Sequence, residues 1–143
     1  MPKFSPVASY VLGAACFGRG LMALIWPEED YAHVGLPLES EATPPYDGPS
    51  LGFVSPLMYF KGIREMSYGA TLIALQWGGN QRDITTFATI LSFVRFGDGL
   101  VVWLKGGEKL RYRASGHWIT GAGFLWWVLW RWNRLGYFRW LWG

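Results

Sequence analysis

The sequence predicts an all-α integral membrane protein: a four-helix up-down bundle followed by an interfacial aromatic C-terminal tail. Three observations predict it. Four apolar segments, each about 20 residues and so long enough to cross a bilayer, alternate with Gly- and Pro-rich breaks. Charged residues make up only 16% of the 143 residues, while aromatics reach 18% with ten Trp. That is more aromatic surface than a soluble domain of this size readily hides. The last apolar segment also runs into a stretch that interleaves arginines with Trp, Tyr and Phe, a composition suited to headgroup level.

Length bounds the chain to a single membrane domain, 1–143. The first helix is expected over 6–26, ended by Pro27. Ala14 and Gly18, with Gly13 and Gly20 beside them, offer a small-residue face for close helix approach. An acidic, Pro-rich connection is expected over 27–56. It holds six of the ten acids (Glu28, Glu29, Asp30, Glu39, Glu41, Asp47) and no Lys or Arg. It reads either as a solvated connection or as a lid over the charged helices. The second helix is expected over 57–76, closed by Trp77-Gly78-Gly79-Asn80. The third is expected over 83–104 with Asp83 as its cap, followed by a basic hairpin from Lys105 to Arg113. The fourth is expected over 115–132 with Ser115 as its cap, and the tail over 133–143, with Arg131 counted among its interfacial arginines.

Other classes fall away. A net charge of +3 without a basic stripe gives no basis for nucleic-acid binding. Cys16 is the single cysteine, so no internal disulfide forms, and no Cys/His spacing marks a metal site. No Gly-rich phosphate loop or haem ligand pair is present, and no cofactor is expected. Lys/Arg are spread almost evenly over the two ends of the bundle, which leaves orientation open with a lean toward cytosolic termini.

The informative residues are the charges inside the apolar segments. Lys61, Arg64 and Glu65 lie within little more than one helical turn, and Arg95 and Asp98 lie three apart in the next segment. Ionisable groups at membrane depth are costly and face a protein interior. In an up-down bundle, Arg19, Arg64 and Asp98 each fall about 9–11 Å below the same membrane face at 1.5 Å per residue, with Arg95 slightly deeper and His117 shallower. The expectation is therefore one buried polar nest. In it Glu65 and Asp98 face Arg19, Lys61, Arg64 and Arg95 with an excess of two positive charges. That excess calls for water, an anionic or carbonyl-bearing ligand, or Lys61 reaching to the interface. Tyr59, Ser67, Tyr68 and Ser92 are candidates to complete the hydrogen bonds. The same charges can equally serve as structural glue between helices.

Read as a site, Glu65 and Asp98 are the general acid or base, flanked by Arg64, with His117 as a proton relay. Arg19, Arg95, Lys61 and Tyr68 are the substrate-binding set, the arginines orienting a carbonyl or stabilising developing negative charge.

The stretches Gly18-Arg19-Gly20-Leu21, Gly35-Leu36-Pro37, Gly62-Ile63-Arg64-Glu65 with Gly69, Gly97-Asp98-Gly99 through Trp103 with Gly106-Gly107, and a His opening the fourth helix carry a resemblance. Together they resemble the domain-of-unknown-function 4267 family over most of the chain. The resemblance implies a small protein with four membrane helices. Because some fungal relatives are encoded in secondary-metabolite gene clusters, it also implies a pathway role. The expected function is a cofactor-free cyclase or isomerase acting on an apolar natural-product intermediate. The alternative is a non-catalytic scaffold or accessory subunit that docks other pathway enzymes. Expected partners are the lipid bilayer, an apolar small molecule, and pathway enzymes or a second copy of the chain. The expected location is the endoplasmic reticulum membrane, multi-pass.

Overall fold

The computed structural model describes residues 4–39 and 52–136. Glu41 and Asp47 of the acidic connection, and the aromatic tail from residue 137 onward, lie outside the described residues. Among the described residues the chain is helical apart from one isolated bridge. The elements are α1 (Val7–Ile25), α2 (Pro27–Val34), α3 (Pro56–Trp77), α4 (Gln81–Lys105), α5 (Gly107–Leu110), a 3-10 turn (Arg111–Arg113) and α6 (Ala114–Leu135).

Four long helices form two antiparallel pairs, α1 on α3 and α4 on α6, with α3 and α4 joined by the tight turn 78–80. The pairing follows from side-chain size. Buried positions on α1 are Ser9, Gly13, Cys16, Gly20 and Ala23, and on α3 they are Met58, Gly62, Glu65, Gly69, Leu72 and Gln76. Both sets alternate spacings of four and three residues, the knobs-into-holes seam of two shallowly crossed helices. Glycines let the backbones approach: a Cβ on Gly62 would lie 2.8 Å from the Gly20 carbonyl oxygen. The contact face is therefore Gly13 and Gly20. Ala14 and Gly18, expected on it, are exposed, and nothing lies within 4 Å of a Cβ placed on Gly18. The α4–α6 pair closes over Ala88, Leu91, Phe124 and Val128.

Two helices, α1 and α4, are long and apolar enough to cross a membrane by length and composition. α3 carries Lys61, Arg64 and Glu65, and α6 is rich in Trp and Gly, which lowers the mean apolar character of both. Large apolar side chains cover the outer faces, including Val11, Leu57, Phe60, Phe93 and Ile119.

The connection expected over 27–56 is not all loop, because its first residues form α2. Pro27 sits at the first helical turn, Glu28, Glu29 and Asp30 occupy the positive end of the helix dipole, and Gly35 stops it at φ 94°. Its end is docked as well as stopped. A Cβ on Gly35 would lie 2.8 Å from both Val102 Cγ1 and Arg113 Cβ. The Ser55 backbone N–H donates to Tyr31 Oη at 3.1 Å, fixing α2 to the start of α3.

Boundaries differ from expectation where local capping decides them. Asn80, not Asp83, caps α4: its Oδ1 accepts from the N–H of Arg82 at 3.2 Å and of Asp83 at 3.4 Å. Ser115 is not a cap, because α6 continues directly from the 3-10 turn and its hydroxyl donates to the Tyr112 carbonyl at 2.7 Å. The expected basic hairpin is likewise helical. Nor does the tail begin at 133, since α6 runs to Leu135 and ends at Gly136 with φ 82°. Arg131, expected at the interface, is 0% exposed. Its Nε donates to Thr85 Oγ1 at 2.9 Å and its Nη2 to Gln81 Oε1 at 2.8 Å, so it ties the end of α6 to the start of α4.

Candidate functional site

α3 brings Lys61, Arg64 and Glu65 to its faces toward α1 and α4. The four-residue spacing of Lys61 and Glu65 puts them on one side, with Arg64, three residues after Lys61, at its edge. α1 contributes Arg19, α4 contributes Arg95 and Asp98, and α2 contributes Asp30. These side chains form a continuous web. Arg19 Nη2 lies 2.6 Å from Asp30 Oδ1, and Lys61 Nζ lies 2.9 Å from Asp30 Oδ2. Lys61 Nζ also reaches Glu65 Oε1 at 3.4 Å, where Arg95 Nη1 arrives at 3.3 Å. Arg95 Nη1 is 3.8 Å from Asp98 Oδ2, and Arg64 Nη2 is 3.2 Å from Asp98 Oδ1.

Asp30 is the residue that sequence reasoning left outside, as one more acid in a solvated connection. It is 0% exposed and is the only one of the α2 acids to turn inward. With Asp30 included, four cations meet three carboxylates, so the excess falls from two positive charges to one. The available signal was the helix signature itself. Pro27 before three acids and Gly35 after Val34 mark a short helix, and Asp30, Tyr31 and Val34 then share one face. Lys61 does not reach out to the interface, because Asp30 and Glu65 hold it.

Glu65 is the most enclosed member on α3, 3% exposed. Its Oε1 takes both Lys61 and Arg95, while its Oε2 has no hydrogen-bond partner. Small neighbours make that possible: Gly62 and Gly69 lie one turn away on α3, and Cys16 Sγ lies 3.9 Å from Arg95 Nη2. Arg64 and Asp98 sit nearer the surface.

Two cavities flank the web. The larger, about 460 Å³, is a mostly apolar groove between α2, α3 and α4, with Tyr31, Leu57, Met58, Val101, Arg64 and Asp98 in its walls. The second, about 320 Å³, lies between α1 and α6 above a floor of Lys61, Glu65 and Arg95. His117 lines both, with Val34 and Lys61. His117 Nε2 is 3.0 Å from the Val34 carbonyl oxygen. A carbonyl only accepts, so Nε2 carries the proton there, and in the neutral ring Nδ1 is left as an acceptor.

The remaining candidates are placed less centrally. Tyr68 packs edge-on against Phe87 with ring centroids 6.2 Å apart, its ring 6.0 Å from the Arg64 guanidinium, and lines neither of the two larger cavities. Ser67 and Ser92 turn their hydroxyls back to the carbonyls of Arg64 and Thr89, both at 2.7 Å, rather than into the web. Among the described residues no group of three or more His, Cys, Asp or Glu side chains is placed to hold a metal ion.

No curated protein and no solved structure matches the chain. The family model described as "Domain of unknown function (DUF4267)" matches residues 13–131, a span that runs from α1 to the buried Arg131 and contains every member of the charged web. The chain belongs to that family.

Proposed function

We propose that this is a membrane-embedded enzyme of secondary-metabolite biosynthesis that isomerises or cyclises an apolar substrate by acid–base chemistry. The four long helices form an up-down bundle across the bilayer, and the charged web lies inside it. One observation carries the reading: Glu65, which lines the cavity between α1 and α6, is enclosed at 3% exposure, held through Oε1 by two cations, and has its buried Oε2 unpaired. A carboxylate serving only as glue would use both oxygens, because an unmatched buried acceptor is costly.

In this reading Glu65 Oε2 takes a proton from an activated substrate carbon. The electron pair moves toward a substrate oxygen held by a guanidinium, and the same proton returns at a second carbon. Arg95 and Lys61 fix the carboxylate. Asp98, itself held by Arg64, positions Arg95 from the side of the larger groove, and His117 Nδ1 accepts a proton between the two cavities. The pathway assignment rests on the resemblance alone, some fungal relatives being encoded in secondary-metabolite gene clusters.

The test is metabolite profiling of a deletion strain, complemented in turn by the wild type, Glu65→Gln and Asp98→Asn. The wild type clears the accumulated precursor, and neither variant does, although both insert in the membrane and extract as the wild type does. Full turnover by Glu65→Gln overturns the proposal.

A second reading, a non-catalytic subunit that docks other pathway enzymes, draws on the exposed cations Lys105, Lys109 and Arg111. Co-purification lost on changing these to Gln, with Glu65→Gln silent, favours it.

A further inference from the structure

The cavity between α1 and α6 is built for more than an apolar guest. At its α2 end stand Arg19, Lys61 and Arg113, with His33 and His117 beside them. Asp30 neutralises part of Arg19 and Lys61 from behind and does not line the cavity. Arg113 has no acidic partner among the described residues; its guanidinium rests 5.5 Å from the Tyr112 ring, and its buried Nε is without a hydrogen bond. At the other end the walls are Leu12, Ala15 and Phe124. Leu12 lies about 10 Å along α1 from Arg19 at 1.5 Å per residue, so cationic and apolar ends are separated along the helix direction.

The cavity also has a side door. α1 packs chiefly on α3 and α6 chiefly on α4, so a cleft is left between α1 and α6. Its lining residues Ala15, Gly116 and Thr120 are exposed, and the flanking Val11 and Ile119 are 60% and 70% exposed apolar side chains. A molecule held in the outer apolar layer therefore reaches the cationic end without crossing water.

We infer that the substrate of the Glu65 site is a single-chain amphipathic anion, an apolar body carrying one carboxylate or phosphate, which enters between α1 and α6. The anion sits at Arg113, Arg19 and Lys61 and offsets the uncompensated positive charge. Glu65 lies four residues beyond Lys61 on α3, about 6 Å deeper, so its carboxylate lies level with substrate carbon a few bonds from the acid group. The inference rests on the reading of Glu65 as the acid–base residue, and it names the class of molecule that residue meets.

Native mass spectrometry of the full chain in nonionic detergent tests it, with three probes: oleate, oleyl alcohol and the two-chain lipid phosphatidylglycerol. Oleate is expected to bind at least about tenfold more tightly than the other two, a preference of about 1.4 kcal/mol. Arg113→Gln abolishes most of that preference and leaves alcohol binding unchanged. Ala15→Trp, which fills the cleft mouth, lowers oleate binding by a similar factor. Equal binding of oleate and its alcohol, a preference that survives Arg113→Gln, or equal binding of the two-chain lipid each overturns the inference. Glu65→Gln separates the two claims: oleate preference kept with turnover unaffected sinks the acid–base reading alone, while preference absent with turnover abolished sinks the ligand class alone.

Discussion

Changing Asp30 to Asn removes one charge and almost no volume, and it strikes the web where two cations share a single acid. Arg19 Nη2 at 2.6 Å and Lys61 Nζ at 2.9 Å both lose their carboxylate, while Lys61 keeps Glu65 and Arg19 keeps no acid. Breaking a buried pair by removing one partner costs about 3–5 kcal/mol. Arg19 is 35% exposed on its side chain, so water screens part of its loss, which places the expected cost near the lower bound, about 3 kcal/mol. At about 4 °C per kcal/mol for a chain of this size, the midpoint of thermal unfolding falls by about 12 °C. The assay is the loss of the monodisperse peak in size-exclusion chromatography after heating in detergent. Glu29→Gln, one residue away and exposed, shifts the midpoint by no more than about 2 °C. Arg19→Gln added to Asp30→Asn costs little more, because the pair has already been broken. If Asp30→Asn melts within about 3 °C of Glu29→Gln, Asp30 is not a working member of the web and the account of the charge balance fails.

Two further outcomes follow from packing, and both are read by the same thermal assay. Gly62→Ala forces a methyl against the Gly20 carbonyl and Ala23 Cβ, so it destabilises by about 1–3 kcal/mol, whereas Gly18→Ala faces open space and is neutral or slightly stabilising. Arg131→Ala removes its hydrogen bonds to Thr85 Oγ1 and Gln81 Oε1 and takes the guanidinium from above Phe4 and Trp127, for a loss of about 3 kcal/mol. The exposed Arg134→Ala stays within about 0.5 kcal/mol of the wild type.

The centre of the web was legible because helical spacing and antiparallel threading are arithmetic. Arg64, Glu65, Arg95 and Asp98 lie at matching heights on neighbouring helices whatever the detailed packing. What escaped was set by local chemistry outside the apolar segments. Asp30 looked like its solvated neighbours Glu28 and Glu29, and only the docking of α2 through Tyr31 and Gly35 turns it inward. Arg113 and Cys16 escaped for another reason: one sat in a stretch read as a polar hairpin and the other in a featureless apolar run. Arg131 was misplaced because an arginine among tryptophans looks interfacial, and only the start of α4 supplies its partners. On α1 the small-residue face expected from Ala14, Gly18, Gly13 and Gly20 holds only for Gly13 and Gly20, because small residues occupy both sides of that helix.

Glu39 and Phe53 exchange both backbone hydrogen bonds, at 3.1 Å and 2.8 Å. That clasp holds the chain leaving α2 against the chain entering α3. The helix that carries Asp30 is thereby tied to the start of α3 twice, by the Tyr31–Ser55 bond and by the Glu39–Phe53 clasp beyond it.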